Sequence, residues 1–441
     1  MHNPLDTVSH GLAFLAGIVI LISVTVSLLR TVVVPRPLRS NYSDLVTATV
    51  IGTTRLIART RPTYKDKDAV LSWGGPILIV AMLVSWLLGY LLAYTLLEFG
   101  ASADRTVEQA FRQAGSNLFT LGMGGMHDGV LTIIDFMAAA TGPIVIAMLI
   151  GFLPSVYSSY LDRERVMAEV GIVAGEPMWA PEWLARASLA GSLGNLVDAM
   201  PQYADWATNL RMTHATYPVL QFMRSARYTR HHIVTLLAML DAANLLASVS
   251  TKVPHRQLFI MILNGSQALW TLQILFYSPR RWRSRVPILG RFMEPADALD
   301  AQVYSIPAWQ RDLAAVHLAS ARDAARGMAP WRHGDDAPRE VPESQLSRAE
   351  FDAAITMMRE AGMTIDRDED EAWAMFHRIR SRYEFPAYEI ARALSAVPAP
   401  WSGPRNVDLP TIWPNSAVEI RRSDTGPGDG ASAPPDRSAE A

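Results

Sequence analysis

The residues best suited to chemistry form a short glycine-punctuated run, Thr120-Leu121-Gly122-Met123-Gly124. Its useful atoms are oxygens, because backbone carbonyls and a threonine hydroxyl can replace the water around a cation. Carbonyls of successive residues face one axis only when alternate residues take unusual backbone angles, which glycine adopts without a Cβ penalty. The run therefore predicts a path for a cation; a flexible outer loop between two helices is the alternative.

A short helix is predicted directly before this run. Thr106 followed three residues later by Gln109 is the pattern of a capping box, in which each side chain satisfies the backbone amide of the other residue. The dozen residues after Thr106 can then form a helix. Its C-terminal end carries partial negative charge, which would point towards a cation in the run.

Three apolar segments, residues 12–34, 73–97 and 130–158, are each long enough to cross a bilayer. The first lacks the positive start and small-residue cleavage site of a signal peptide, so we interpret it as a retained span. Basic residues cluster after it, which predicts that the loop before the second segment is cytoplasmic. They are Arg30, Arg36, Arg39, Arg55, Arg59, Arg61, Lys65 and Lys67. The N-terminus and the glycine run then lie outside, and the C-terminus is cytoplasmic.

Residues 43–58 of that loop contain several apolar residues and few charges. One interpretation is a helix that lies on the membrane surface. The other is a helix packed on the soluble part of the same protein, and the sequence fits both equally.

The third apolar segment is interrupted by Gly142-Pro143, Gly151 and Pro154. Glycine and proline inside a span are tolerated when neighbouring groups satisfy the freed backbone, and they provide sites of bending. Gly151 and Pro154 are therefore candidates for a gate hinge. A static kink that fits the helix to its neighbours is the alternative.

A short helix followed by such a run between two spans resembles the pore loop of the potassium-channel superfamily. The family motif is Thr-Val-Gly-Tyr-Gly; Thr120, Gly122 and Gly124 match it, whereas Leu121 and Met123 replace the valine and the tyrosine. The resemblance implies a selectivity filter built from these five residues in a homotetramer. It also implies permeant K+ or another monovalent cation in the filter, no other cofactor, and a third span that lines the inner cavity.

A second resemblance lies in the region after the third span. This region is similar to the helical cytosolic part of bacterial two-transmembrane potassium-channel relatives, which reads Trp, His, Tyr-Pro-x-Leu, Phe-Arg-Ser and then Leu-Asp-Ala-Ala. The matching residues are Trp206, His214, Tyr217, Pro218, Phe222, Arg224, Ser225 and Leu237–Asn244. Together the two resemblances imply membership of that family.

The predicted fold class is an all-α membrane protein with three transmembrane helices, a re-entrant pore helix and filter, and an α-helical cytosolic domain. The predicted regions are an N-terminal helix and cytosolic loop (1–69), a pore domain (70–161), a helical cytosolic domain (162–422) and a disordered tail (423–441). Helices of the cytosolic domain are predicted at 181–194, 196–214, 231–249, 255–277, 295–327, 347–361, 369–383 and 386–396, with a linker at 329–345.

Several features of that domain are interpreted as structural. Residues 256–278 are apolar enough to suggest a fourth span, but their amide side chains and the arginines that follow oppose insertion, so they predict a buried helix. His231 and His232 have no partner at ligand spacing and predict a solvated helix start. Asp241 is interpreted as a hydrogen-bonded core group or as a partner of Arg224.

Composition excludes several functions. The 441 residues carry a formal net charge of −2, which gives no support for nucleic acid as a partner, and contain no cysteine for disulfides or thiolate chemistry. No pattern of catalytic or metal-ligating residues emerges, so no enzymatic activity is predicted.

Two functions are left. The first is a cation channel in the lipid of a bacterial plasma membrane, gated by its cytosolic domain. The second is a non-conducting, membrane-anchored signalling or scaffold protein with a channel-like frame, and the altered filter motivates it. Flux through the purified protein would separate them.

Met123 predicts weak discrimination between ions. In the superfamily, pore-helix side chains hold the filter tyrosine by hydrogen bonds, but methionine has no hydroxyl and its sulfur is a weak acceptor. Phe111, Leu118 and Phe119 supply packing but no donor. A filter held in this way would be looser and would fit sodium as well as potassium.

Overall fold

The computed structural model describes residues 4–34, 40–102, 104–125, 129–277 and 344–403. The predicted helix 295–327, most of the predicted linker 329–345 and the predicted tail 423–441 lie outside these ranges. Every regular element in the described ranges is a helix, which confirms the all-α class.

The helices fall into two groups along the chain. The first contains α1 (Pro4–Val32), α2 (Asn41–Arg59), α3 (Tyr64–Leu71), α4 (Gly74–Ala101), α5 (Val107–Leu118) and α6 (Val130–Ala174). The second contains α7 (Ala180–Leu189), α8 (Leu193–Thr216), a short 3-10 helix (Pro218–Phe222), α9 (His232–Val249), α10 (His255–Tyr277), α11 (Arg348–Glu360), α12 (Glu369–Arg380) and α13 (Glu384–Ala393). We call the second group the helical domain.

Among the described residues, four stretches are long and apolar enough to cross a membrane: Val8–Val32, Tyr64–Ala101, Val130–Ala174 and His232–Val249. The rest of the protein buries 22%, 33% and 17% of the most apolar window in the first three, but all of it in the fourth. The first three therefore expose apolar surface that lipid could cover, whereas other helices enclose α9. These stretches are consistent with a membrane protein.

α1 and α4 pack against each other in opposite directions. At Gly100 a Cβ atom would lie 2.6 Å from the backbone nitrogen of Phe14, so the two backbones meet there. Further along, Trp86 Nε1 donates a hydrogen bond to Ser27 Oγ at 3.2 Å. Close approach through small residues and buried hydrogen bonds are typical of helices that associate in lipid.

α6 extends further than the sequence predicted. The apolar part ends near residue 158, but the helix continues to Ala174 and contains 45 residues, about 67 Å in length. Pro143 and Pro154 lie within the helix without ending it. Because the Met167 side chain is fully buried in the core of the helical domain, α6 joins the two groups of helices without a break.

α9 lies at the centre of the helical domain, with all of its residues buried. His231 and His232 are 5% and 2% exposed, so the predicted solvated helix start is wrong. His231 caps the helix instead, because its Nδ1 accepts a hydrogen bond from the Ile233 amide at 3.2 Å. α10 occupies the segment predicted as a buried helix and packs against α8 and α9.

Asp241 is a hydrogen-bonded core group, and its partner is Arg380 rather than Arg224. The Arg380 guanidinium donates to the two Asp241 carboxylate oxygens at 3.0 and 3.2 Å, and the Tyr383 hydroxyl donates to one of them at 2.7 Å. Arg224 instead donates to Asp68 Oδ1 at 2.7 Å, in the short helix before α4. Buried charges of this kind are tolerated only when they are paired.

The C-terminal end of α5 rests against the backbone of α6. Leu118, the last residue of α5, is buried, and a Cβ atom at Gly142 would lie 1.9 Å from its carbonyl oxygen. Any other residue at this position would overlap α5. At Gly151, by contrast, a Cβ atom would meet nothing within 4 Å. Packing therefore requires the first glycine of α6 but not the second.

We expect Gly142→Ala to lower the free energy of unfolding by about 1–3 kcal/mol, because the added methyl group overlaps the Leu118 carbonyl. The matched control is Gly151→Ala, which should be neutral or stabilising by up to about 1 kcal/mol, since alanine favours the helix and has room. Chemical denaturation in detergent, followed by circular dichroism, measures both. Equal effects of the two substitutions would contradict the described contact between α5 and α6.

Candidate functional site

The predicted capping box begins α5. Thr106 Oγ1 accepts a hydrogen bond from the Gln109 amide at 3.3 Å, and Gln109 Oε1 accepts one from the Thr106 amide at 3.0 Å. α5 packs between α4 and α6. At its end the Leu121 amide donates to the Ser116 carbonyl at 2.8 Å, so the chain turns back on the helix as it enters the glycine-punctuated run.

Residues 120–124 contain alternating unusual backbone angles. Thr120 and Gly122 have φ angles of 53° and 69°, in the left-handed region. The φ angle of Gly124 lies outside that region. The left-handed residues are therefore at positions 120 and 122, two positions earlier than the glycines at 122 and 124 suggest. A threonine in the left-handed region costs about 1–2 kcal/mol, so neighbouring contacts must hold it there.

Side chains of α5 hold the backbone of the run. Ser116 Oγ accepts a hydrogen bond from the Met123 amide at 2.9 Å. The Gln113 side-chain amide makes two bonds to Gly125: its oxygen accepts from the backbone nitrogen at 3.2 Å, and its nitrogen donates to the carbonyl at 3.3 Å. The sequence analysis considered only Phe111, Leu118 and Phe119 before the run and missed these polar side chains. Polar residues spaced three and four apart in α5 were the signal that the sequence offered.

Gly124 makes room for this contact. A Cβ atom at that position would lie 2.6 Å from Gln113 Oε1. The glycine is thus explained by the side chain that reaches past it, and its backbone angle plays no part. A larger residue would displace the Gln113 amide from Gly125.

Asp135 connects this arrangement to α6. Its Oδ1 accepts a hydrogen bond from Gln113 Nε2 at 3.0 Å and another from Asn117 Nδ2. Asp135 is the one charged residue in the predicted span 130–158, and a lone carboxylate in an apolar span indicates a functional or bracing position. Sequence reasoning missed it.

α4 is tied to the same region by two polar contacts. The Tyr94 hydroxyl and Thr141 Oγ1, on α6, are 2.7 Å apart. Glu98, directly after the predicted second span, is fully buried and forms an ion pair with Arg105 in the segment that leads to α5. α4 is therefore connected to α6 and to the segment before α5, while α5 alone supplies the side chains that hold the run.

The run itself lies at the surface of the single chain. Residues 120–125 are all exposed, and the Leu121 and Met123 side chains are 57% and 77% exposed. The Met123 side chain consequently contributes little to the local structure. Gly151 and Pro154, the candidate hinge, are also exposed and lie in a continuous stretch of α6.

A buried arginine joins α6 to the helical domain. The Arg163 side chain is 2% exposed, and its guanidinium donates to the Leu220 carbonyl at 2.9 Å and the Met223 carbonyl at 2.8 Å. It also forms an ion pair with Glu164 at 2.9 Å. Two neighbours on α6 add contacts to the same part of the chain: the Tyr160 hydroxyl donates to the Arg224 carbonyl at 3.1 Å, and Glu164 Oε1 accepts from the Ser225 hydroxyl at 2.9 Å.

His214 lies against the same guanidinium. Its Nε2 is 3.3 Å from Arg163 Nη1, and its Nδ1 is 2.9 Å from the Leu210 carbonyl, so the neutral ring donates to the carbonyl and accepts from the arginine. Burial, reinforced by the positive charge of Arg163, holds the pKa of His214 well below its usual value. The ring of His232 stacks obliquely at 5.2 Å.

Comparison of the chain with protein-family profiles, with curated proteins and with solved structures gives no match. The resemblance to the potassium-channel superfamily therefore rests on the residues named above.

We expect Ser116→Ala to speed hydrogen exchange at the Met123 amide about fivefold, because it removes an acceptor worth about 1 kcal/mol. The matched control is Ser155→Ala, which removes a serine hydroxyl that donates only to the Gly151 carbonyl of its own helix. Hydrogen exchange of the full chain in detergent, read by mass spectrometry on peptides covering 119–125, measures both. Unchanged exchange in Ser116→Ala would contradict the described brace.

The depressed pKa of His214 predicts a loss of stability in acid. Below its ordinary pKa of about 6.5 the unfolded chain binds a proton that the folded chain does not, so stability falls as pH drops. His214→Gln should reduce that slope by up to about 1.4 kcal/mol per pH unit. The control is Asn209→Gln, an uncharged exchange at an exposed position of the same helix, which should keep the wild-type slope. Denaturation curves between pH 7 and 5 decide this; equal slopes in the three proteins would refute it.

Proposed function

We propose that this chain is a subunit of a potassium-channel-like cation channel that conducts through Thr120, Leu121, Gly122, Met123 and Gly124. The observation that carries the proposal is the backbone of this run, held by Ser116 and Gln113 of the preceding helix with left-handed angles at alternate residues. Such bracing leaves the carbonyls available to a cation that has lost its water. α5 is the pore helix and residues 120–124 are the filter.

In this proposal α1, α4 and α6 span the plasma membrane of a bacterium. The N-terminus lies outside and the C-terminus in the cytoplasm, because the basic residues cluster between α1 and α4. α9 is apolar enough to span, but protein already covers it and its Asp241 is paired with Arg380. We assign α9 to the core of the cytosolic domain.

The proposal requires a homotetramer. Each chain offers one run, and a ring of carbonyls that replaces the hydration shell of an ion needs several copies. The exposed residues 120–125 and the exposed apolar face of α6 supply surface for neighbouring copies and lipid. That face contains Ile133, Phe136, Ile144, Ile150 and Leu161.

Gating in this proposal acts through α6. A movement of the helical domain would reach the inner end of α6 through Arg163, whose partners lie in and just after the short 3-10 helix. Gly151 and Pro154 lie between that junction and the filter, on the exposed side of the helix. They are the positions at which α6 could bend.

A non-conducting signalling or scaffold protein is the second candidate. Leu121 and Met123 depart from the family motif, and Gly124 does not take the left-handed angle that its position in the motif suggests. In that case the rigid connection between α6 and the helical domain would transmit a signal without ion flow.

Flux in liposomes tests the proposal. The purified protein should carry monovalent cations, and Gly122→Ala should abolish flux because φ of 69° is strained for alanine and reorients the filter carbonyls. The matched control is Gly191→Ala, in the helical domain, where φ is 65° and a Cβ atom likewise meets nothing within 4 Å. Its strain is the same, so flux should survive. Absence of flux in the wild-type protein would favour the scaffold.

Reversal potentials in a bilayer would extend this test. The wild-type channel should discriminate weakly between K+ and Na+, because the exposed Met123 side chain has no hydroxyl that could form a hydrogen bond to the pore helix. Leu121→Val combined with Met123→Tyr should shift selectivity towards K+. A strongly K+-selective wild-type channel would show that the bonds from Ser116 and Gln113 suffice without the tyrosine.

A further inference from the structure

α2 presents an uncharged face that nothing in the described chain covers. The exposed residues before the final Arg59, which is also exposed, are Leu45, Thr49, Thr53, Leu56 and Ile57. Their spacing of three and four places them on one side of the helix. Leu45, Leu56 and Ile57 are 44–46% exposed. The opposite side packs against α1, α3 and α4.

The hydroxyl groups of the two threonines on this face form hydrogen bonds within the helix. Thr49 Oγ1 donates to the Leu45 carbonyl at 2.9 Å, and Thr53 Oγ1 donates to the Thr49 carbonyl at 2.8 Å. With these donors satisfied inside the helix, the face presents methyl groups and leucine side chains. Internal satisfaction of hydroxyl groups is the requirement that lipid imposes and water does not.

α2 runs beside the cytoplasmic end of α4. Its first turn reaches the middle of α4, where the Tyr42 hydroxyl donates to the Ser85 carbonyl. Ile51 lies against the start of α4, because a Cβ atom at Gly74 would be 3.4 Å from its Cδ1. α2 therefore runs alongside the second span, from the middle of α4 to its start.

A basic segment follows the apolar face. Arg61 and Lys65 are exposed and Lys67 is half-buried. Of the two acidic residues in the same stretch, Asp68 is paired with Arg224 and Asp66 accepts from the Thr63 hydroxyl at 2.7 Å. An apolar face that ends in basic side chains fits the boundary between acyl chains and anionic headgroups.

We infer that α2 and α3 form a lipid-binding surface, in which the uncharged face of α2 contacts acyl chains of the inner leaflet and Arg61, Lys65 and Lys67 bind anionic headgroups. The inference rests on the proposed membrane orientation but not on ion conduction. The sequence left two interpretations of residues 43–58, a helix on the membrane surface and a helix packed on the protein. In this inference the helix packs on the spans, and its exposed face contacts lipid.

The surface is also connected to the helical domain. Arg55 Nη2 donates to the Ala393 carbonyl at 2.6 Å, and the Tyr64 hydroxyl donates to the Ser395 carbonyl at 3.2 Å. Arg224 adds a bond to the Leu394 carbonyl at 2.6 Å while it holds Asp68. Lipid bound at α2 and α3 would therefore stabilise the end of α13 as well.

Depth-dependent quenching tests the apolar face. Because the chain has no cysteine, Leu45→Cys and Leu56→Cys each carry a single fluorophore in the full-length protein, reconstituted in vesicles with spin-labelled phospholipid. Both should be quenched like Val80→Cys on α4, and Met212→Cys, 61% exposed on α8, should not. Quenching at 45 and 56 no greater than at 212 overturns the inference. If the fluorophore of Val80→Cys were not quenched either, the proposed membrane orientation would be refuted. Absence of ion flux would not change the conclusion about lipid binding.

Thermal unfolding in lipid nanodiscs tests the basic segment. Replacing phosphatidylcholine with phosphatidylglycerol should raise the wild-type midpoint by about 3 °C. Arg61→Gln with Lys65→Gln and Lys67→Gln should abolish the rise. A control triple at the exposed Arg165, Arg227 and Arg359 should retain it. The inference is overturned if the midpoint of the Arg61, Lys65 and Lys67 variant rises as much as that of the wild type. It is also overturned if soluble glycerophosphate alone raises the wild-type midpoint equally.

Discussion

Backbone amides and carbonyls outside regular helices need other hydrogen-bond partners, and this constraint governs residues 119–125. They belong to no helix, so α5 has to supply their partners. Ser116 and Gln113 do so, and Asp135 in turn holds Gln113 from α6. The strained angle at Thr120 persists because these bonds surround it.

The same constraint explains the contact between α5 and α6. A helix leaves its last four carbonyls without partners in the helix itself, so the end of α5 lies close to other parts of the chain. Gly142 permits this by bringing the α6 backbone against Leu118. From that contact α6 continues without interruption to the buried Arg163, so one helix touches both α5, which holds the glycine run, and the helical domain.

Most elements of this fold could be predicted from the sequence, because they depend on local patterns. Hydropathy identified the long apolar helices, and the spacing of Thr106 and Gln109 identified the start of α5. The end of α6 could not be found in this way. Charged residues stop an apolar span, but they do not stop a helix, so the segment after residue 158 remained helical.

The sequence by itself determined which stretches are helical, which are apolar enough to span and where a left-handed turn could occur. Only the tertiary structure decided the polar partners: Arg380 for Asp241, Asp68 for Arg224, and Gln113 with Asn117 for Asp135. The physical reason is distance along the chain. Helix and span formation depend on residues within a few turns. A buried charge instead finds its partner where the packed helices bring it, 139 residues away for Asp241 and 156 residues away for Arg224.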